Sequence, residues 1–578
     1  PQQPLARSVP SSMRTSSRRD ALDLLVGTLV AGVMVVPPSA SALTAPGRVT
    51  VPFAAAQREG VDPFAVAGVA VMPDGRIVTS GIDAGARRLL LTRLLPSGAP
   101  DPTFGGDGVV SLAVPYEAGT YGPFPGPPRL AADGSVYVAS QGPARSRFEG
   151  PQVVVTHVLG DGTPDRAFGP GGSAMPGVQV GTMALSRDGR VLVAGNVGRY
   201  DLTNANDLAA TTTAVAARLT ATGSLDPTFA SGGIARLPGN EAGAVVALPD
   251  GGAAVTTTEG KTSRLSELAA NGSADPGFDH GAALALSGFP TGLLPRPDGA
   301  VDVLTTDTQQ TTATLVRIRP DGTPDPSFGA VAVALPDGTL IPGPAGSDLV
   351  TGPGADAPVP GQAFTVTIHG VDADGTPDPV YGGAAGRSLA LAFGGGYATP
   401  GANDAQPQAA SLNQTGFRGG AVATRPTGGV IAAGAAAVIE YTGEGEGLEH
   451  EDVAVAAFGA DLAPDLAFGG PALAPTVGFS LPPQRATTAA APRRRYVLVR
   501  LAVSTPGLCQ ISIHARGAVV AKADVPVFST RGENARVWLT RSGRALLPRT
   551  HHAAASARAT CEDLVGTRTT VPTTGLLR

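Results

Sequence analysis

Apolar residues occur along the chain in short bursts, each closed by turn residues, and the bursts repeat. Val66–Met72 is followed by Asp74-Gly75 and then by Arg76-Ile77-Val78-Thr79. The same turn recurs at Asp133-Gly134, Asp188-Gly189, Asp250-Gly251, Asp298-Gly299, Asp337-Gly338 and, in degenerate form, Gly428-Gly429. Asp-Gly between β-rich runs predicts a hairpin, because Gly accepts the positive φ of a tight turn.

A second phrase alternates with the first. It reads Asp101-Pro102-Thr103-Phe104, and its relatives start at Asp165, Asp226, Asp275, Asp325, Asp378 and Asp465. Each carries a ring three residues on: Phe168, Phe229, Phe278, Phe328, Tyr381 and Phe468. Three residues before the Asp stands Gly98, Gly162, Gly223, Gly272, Gly322 or Gly375, and in the seventh unit Leu462. Seven residues before it the position is always apolar, from Leu94 to Phe458. In the first unit the strands are expected at Arg48–Phe53, Val66–Met72, Arg76–Ser80 and Leu89–Leu95. Four strands per unit, seven units and no helical period predict a seven-bladed β-propeller over 43–474. The Asp-to-Asp spacings of 64, 61, 49, 50, 53 and 87 residues leave room for insertions. Residues 341–360 and 383–420, rich in Gly, Pro and Ala, are expected to be surface loops. Either the strand at 47–53 or the residues after Phe468 would complete the last blade and seal the ring.

The alternation of Ser186-Arg187-Asp188-Gly189-Arg190-Val191-Leu192-Val193-Ala194-Gly195 with Gly322-Thr323-Pro324-Asp325-Pro326-Ser327-Phe328-Gly329 resembles the delta-60 repeat family of bacterial secreted proteins. The resemblance covers about residues 47–474. It implies a propeller-like, extracytoplasmic repeat protein and supplies no catalytic residues to transfer.

The pattern changes near residue 475. A linker is expected at 475–492 and a separate module at 493–578, with strands at Tyr496–Val503, Cys509–Ala515, Ala518–Val525 and Ala535–Leu539. Short strands and one Cys pair suit a small immunoglobulin-like β-sandwich, so the predicted fold class is all-β. Arg541-Ser542-Gly543-Arg544-Ala545-Leu546-Leu547 resembles a segment of small sandwich modules that end bacterial exported proteins. Cys509 and Cys561 are the only cysteines of the 578-residue chain. In an exported protein they are expected to form one disulfide. Charge divides with the modules: residues 43–474 carry 23 basic and 41 acidic side chains, and residues from 475 on carry 15 and 4. The basic module could lie against anionic envelope polymers.

Export is expected from the leading segment. Met13, Arg14, Arg18 and Arg19 precede the apolar run Leu24–Val36 and Ala40-Ser41-Ala42, which reads as a signal peptide over 13–42. The run is shorter than the roughly 20 residues of a membrane span. Ser17-Arg18-Arg19-Asp20-Ala21-Leu22 also resembles a twin-arginine export motif. The mature chain is expected outside the cytoplasm, extracellular or envelope-associated, as a monomer without a membrane span.

Candidate chemistry is sparse. The motif Asp residues read as turn caps rather than metal ligands, because Asp372-Ala373-Asp374-Gly375 lacks the full spacing of a calcium loop. Glu440, Glu444, Glu446, Glu449, His450, Glu451 and Asp452 form an acidic cluster, expected as a solvated hairpin loop. His157 and His369 fall in predicted strands, and His551-His552 in a loop. No catalytic, cofactor or metal site is expected, and an acidic propeller excludes nucleic acid. The expectation is a secreted, non-enzymatic binding or surface scaffold whose partner is a protein or an envelope polysaccharide. The alternative is an extracellular polysaccharide lyase or hydrolase with its site on one propeller face.

Overall fold

The computed structural model describes residues 43–52, 66–83, 87–116, 124–144, 149–198, 212–309, 311–335, 338–353, 364–391, 393, 396–398, 417–441, 446–472, 474–482, 496–527, 533–546 and 553–577. The expected signal segment 13–42 lies outside them.

Seven sheets, antiparallel except where Gly396–Ala398 runs parallel to Val430–Tyr441, form a ring of seven blades. Blade one is Gly68–Val71, Ile77–Asp83, Arg88–Leu94 and Val109–Leu112. Blade two is Arg129–Leu130, Val136–Gln141, Val153–Val158 and Ser173–Ala174. Blade three is Gln179–Leu185, Val191–Gly198, Thr212–Leu219 and Ile234–Arg236. Blade four is Glu241–Ala247, Ala253–Glu259, Thr262–Leu268 and Leu284–Leu286. Blade five is Phe289–Pro295, Val301–Thr306, Ala313–Ile318 and Ala330–Val333. Blade six is Thr339–Pro342, Asp348–Pro353, Phe364–Val371 and Arg387–Leu391. Blade seven is Phe417–Thr424, Val430–Tyr441, Glu446–Phe458 and, from the start of the chain, Arg48–Pro52. From blade two to blade seven, and from seven back to one, the first strands of successive blades pack on one another. Gly68 of blade one lies against Pro127 at the entry to blade two. The middle strands carry the core, because side chains on both faces meet a neighbouring blade.

The strand Arg48–Pro52 pairs with Val453–Ala456 and Asp452, so the chain start rather than the residues after Phe468 closes the ring. This corrects the membership of the first unit: Arg48–Pro52 belongs to the last blade, and Val109–Leu112 is the fourth strand of blade one. Repeat phrases mark turns, and turns alone do not say which flanking strand joins which sheet.

Both expected loops are also corrected. Within 341–360, Asp348–Pro353 is the second strand of blade six, and its hairpin turns at Pro344–Gly346 rather than at Asp337-Gly338. Asp337 lies outside the described residues. Within 383–420, Arg387–Leu391 and Gly396–Ala398 are strands. Gly and Pro masked these strands because their partners supply the ladder that propensity did not suggest. The acidic segment is not simply a loop either. Glu440 lies near the end of one strand, and Glu446, Glu449, His450, Glu451 and Asp452 lie in the first part of the next. Glu444 lies outside the described residues, while Asp452 is buried.

The last module is one antiparallel sheet of seven strands rather than two separately hydrogen-bonded layers. In sheet order these are Val477–Ser480, Tyr496–Val503, Glu533–Leu539, Ala518–Val527, Gly507–Ala515, Ala553–Asp563 and Arg568–Leu577. The sheet curls so that its two edge strands meet, with Leu481 against Gly575. Val477–Ser480 falls in the expected linker, which is thereby shortened at its start. Cys509 and Cys561 are directly opposed on adjacent strands and form a disulfide, so the bridge ties one sheet rather than two layers. Leu508 and Leu564 leave the module's own core and join that of blade seven, with Val422, Ala436 and Phe458.

Candidate functional site

Each motif Asp is fixed by the same turn. Its N–H donates to the carbonyl eight residues earlier, as Asp101 does to Arg93 at 2.9 Å and Asp465 to Ala457 at 2.9 Å. Its Oδ1 accepts from the N–H two residues on, in all seven units: Thr103, Ala167, Thr228, Gly277, Ser327, Val380 and Ala467. This is side-chain capping of a tight turn. The seven rings that follow, Phe104 through Phe468 with Tyr381 sixth, are all buried.

The turns also join the blades. The residue after the ring donates to the next blade: Gly105 to Asp161 O at 2.9 Å, Ala230 to Asn271 O at 2.7 Å, Asp279 to Asp321 O at 3.1 Å. Gly469 of blade seven donates to Ser97 O of blade one at 2.8 Å, which seals the last seam. The motif Gly is required twice over: Gly223 has φ of +73°, and a Cβ there would stand 1.9 Å from the carbonyl oxygen of Phe168. Leu462, the one departure, takes the left-handed conformation with φ of 58°.

The side chain eight residues before the Asp differs from blade to blade, and it decides the seam's electrostatics. In blade one Arg93 donates from Nε to Asp101 Oδ2 (2.7 Å) and from Nη1 to the Gly160 carbonyl of blade two (2.6 Å). Its guanidinium lies 4.5 Å over the Phe104 ring. Arg218 repeats this in blade three with Asp226, Phe229 and the Ala270 carbonyl. A second arginine from the hairpin turn approaches the same carboxylate, Arg76 to Asp101 and Arg190 to Asp226. Burial works against the charge of Asp101, but the Thr103 hydroxyl and N–H and Arg93 hold its carboxyl below the usual range.

Blade two places His157 in this slot. Its Nδ1 lies 2.9 Å from Asp165 Oδ2, and its ring stacks on Tyr137 at 4.0 Å. Burial lowers its pKa against the pull of Asp165. In blade five Arg317 covers Phe328 at 4.2 Å but donates to Asp302, which with Asp348 and Arg296 forms a buried four-group ion cluster. Burial and then Asp302 push Asp348 up, against the two arginines. Blade four has Glu267, 5% exposed, raised to about 8 by burial, then by Asp275 and Asp250. These slot residues were missed in the sequence, although Arg93, Arg218 and Arg317 stand at one fixed offset from their motif Asp. His369 is buried, and His551-His552 lie outside the described residues.

Among the described residues no three His, Cys, Asp or Glu side chains converge in a way that could hold a metal ion. No described helix is long and apolar enough to cross a membrane. A cleft of about 1080 Å³ opens on the flank of the ring, between the outer strand of blade three and the third strand of blade four. Ser231, Arg236, Ser266, Ser273, Gln179 and Glu149 give it a polar lining. Ser266 is 6% exposed, and its Oγ has no hydrogen-bond partner.

Residues 73–104, 187–229 and 296–328 match a family described as a domain of unknown function (DUF5122) beta-propeller, so the chain carries units of a β-propeller repeat family. The matches fall in blades one, three and five, the three with Arg in the slot. No curated protein matches the chain in sequence. Solved structures with a similar chain path include a fungal alcohol oxidase of the AA5 family in complex with copper, 12% identical over 91% of this chain and 100% of that one, with a TM-score of 0.31. A glucose dehydrogenase is 11% identical over 70% and 99%, with a TM-score of 0.31. The gluconolactonase XC5397 of Xanthomonas campestris is 15% identical over 52% and 96%, with a TM-score of 0.27. At these scores none of the three bears on what the chain does.

Proposed function

We propose that the chain is a secreted, non-enzymatic scaffold of the delta-60 repeat type that binds an anionic envelope polysaccharide through its last module. One observation carries the reading: a row of side chains crosses five strands on the outer face of the curled sheet. Its members, in register, are Arg558, Ser512, Lys522, Trp538 and Tyr496. At a strand spacing of about 4.8 Å the row is roughly 20 Å long, the length of a few sugar rings. Arg558 and Lys522 are exposed, as are Arg500 and Arg536 nearby. The Tyr496 and Trp538 rings meet edge to face at 5.6 Å, with Arg536 over Tyr496 at 5.1 Å. Cations beside an aromatic pair suit a polymer that offers carboxylates or phosphates and apolar sugar faces. The acidic ring would repel the same polymer and hold it to the module.

The expected result is co-sedimentation of the full chain with a uronate-bearing polysaccharide, weakened by salt. A Lys522→Ala, Arg536→Ala, Arg558→Ala triple variant should bind at least about tenfold more weakly, as the loss of three surface charges implies. Equal binding to a neutral glucan, or an unaffected triple variant, would overturn it. The cleft favours a second reading, a polysaccharide-active enzyme, because Arg236, Glu149 and Ser266 line it. New reducing ends or unsaturated uronates released from a glycan, and lost in Arg236→Ala, would establish that reading instead.

A further inference from the structure

We propose that the seam between blades four and five holds a hard metal cation, of the calcium or magnesium class, in the place that a guanidinium fills after blades one and three. In blade one Asp101 faces Arg93 and Arg76, and in blade three Asp226 faces Arg218 and Arg190. The strand registers place Glu267 and Gly252 at the same two positions of blade four. Leu94 pairs with Ile77, Leu219 with Val191 and Leu268 with Ala253, and in each case the residue before each partner is the one concerned. Both positive charges are gone, and a carboxyl has been added beside Asp275.

Glu267 lies on the blade-five side of its strand, with Leu265, which packs against Phe278, Leu293 and Ile318. Leu268, on the other side, packs against blade three. Glu267 is 5% exposed, and its Oε1 has no hydrogen-bond partner. A buried orphaned oxygen is destabilising until something satisfies it.

The seam is otherwise built like its neighbours. Asp279 donates to Asp321 O as Gly105 does to Asp161 O and Ala230 to Asn271 O. Arg93 and Arg218 reach the carbonyl just before that acceptor, Gly160 and Ala270. The corresponding carbonyl here is that of Pro320. The slot therefore offers the carboxyls of Glu267 and Asp275 and one carbonyl, an oxygen-only set of the kind hard cations take. No third acidic group completes a ligand trio among the described residues, so water fills the remaining positions. Few charged ligands place such a site in the weak class of extracellular modules, with dissociation constants on the order of 0.1–1 mM.

The test is thermal unfolding of the full chain at pH 8 in chelator, in 10 mM calcium or magnesium chloride, and in sodium chloride of matched ionic strength. The expected result is a Tm about 1–3 °C higher with divalent cation. Glu267→Gln, which keeps the side-chain shape, should fold and lose the response. Glu267→Arg should recreate the blade-one arrangement and raise Tm without any cation. No shift with either cation, or a shift that survives in Glu267→Gln, would overturn the proposal.

Discussion

Phe328 shows what a motif ring does. It is 4% exposed, lies under the Arg317 guanidinium and stands where blade six begins to pack, beside Leu340 and Val371. Truncation would leave a cavity at a seam whose neighbouring turns are pinned by hydrogen bonds and cannot collapse into it. Phe328→Ala is therefore expected to cost about 3–5 kcal/mol, read from denaturant unfolding. Glu267 gives a residue-level prediction of the opposite electrostatic kind. With its pKa raised to about 8, the folded chain holds a proton that the unfolded chain releases near the ordinary carboxylate value. The folded state binds more protons between those limits, so this group's contribution to stability falls as pH rises from about 4.5 to 8. In chelator, Glu267→Gln should flatten that part of the stability–pH curve, and a curve of unchanged slope would refute the assignment.

At the scale of elements, the closing strand matters most. Arg48–Pro52 supplies the fourth strand of blade seven, and Val49 and Val51 are buried there among Ile431, Val453 and Val455. Deletion of residues 43–52 would bare the edge of Glu446–Phe458 and open the ring at its last seam. The expected outcome is a lower Tm and a new concentration-dependent oligomer in sedimentation velocity, since a bare edge pairs with another chain. One strand missed in the sequence shows the reason. Ala553–Asp563, written Ala-Ala-Ala-Ser-Ala-Arg-Ala-Thr-Cys-Glu-Asp, has no large apolar residue. Its strand character comes from two full ladders and from alternate alanines buried in the core of the curled sheet. The hairpins with Asp-Gly were legible because the turn itself is written in the residues.

At the scale of the whole molecule, an acidic ring and a basic sheet meet at blade seven. Leu508 and Leu564 of the module are fully buried in that blade's core. Arg48 of the closing strand faces Asp563 and Glu562 of the module, and burial pushes Asp563 up to about 6. The strand that closes the ring is thus also the one the module covers. Leu508→Asp would bury an unpaired carboxylate in the shared core, and a loss of about 3 kcal/mol or more is expected. Calorimetry should show blade seven and the module failing together. Two transitions with only the module's shifted would show that the shared core does not couple them.

The sequence by itself determined the number of blades, the turns that punctuate them in every blade but the sixth, and the burial of a ring in each, because these depend on residues at fixed short offsets. It also held the slot arginines, at an offset as regular as that of the motif, although their meaning needed a partner. Only the tertiary structure decided which strand closes the ring, since the residues at 48–52 and those after Phe468 both follow the same phrase. The same holds for the place of Cys509 and Cys561 on one sheet and for the isolation of Glu267 among carboxyls. Each of these depends on what the neighbouring strand or turn brings to the contact, which local offsets do not record.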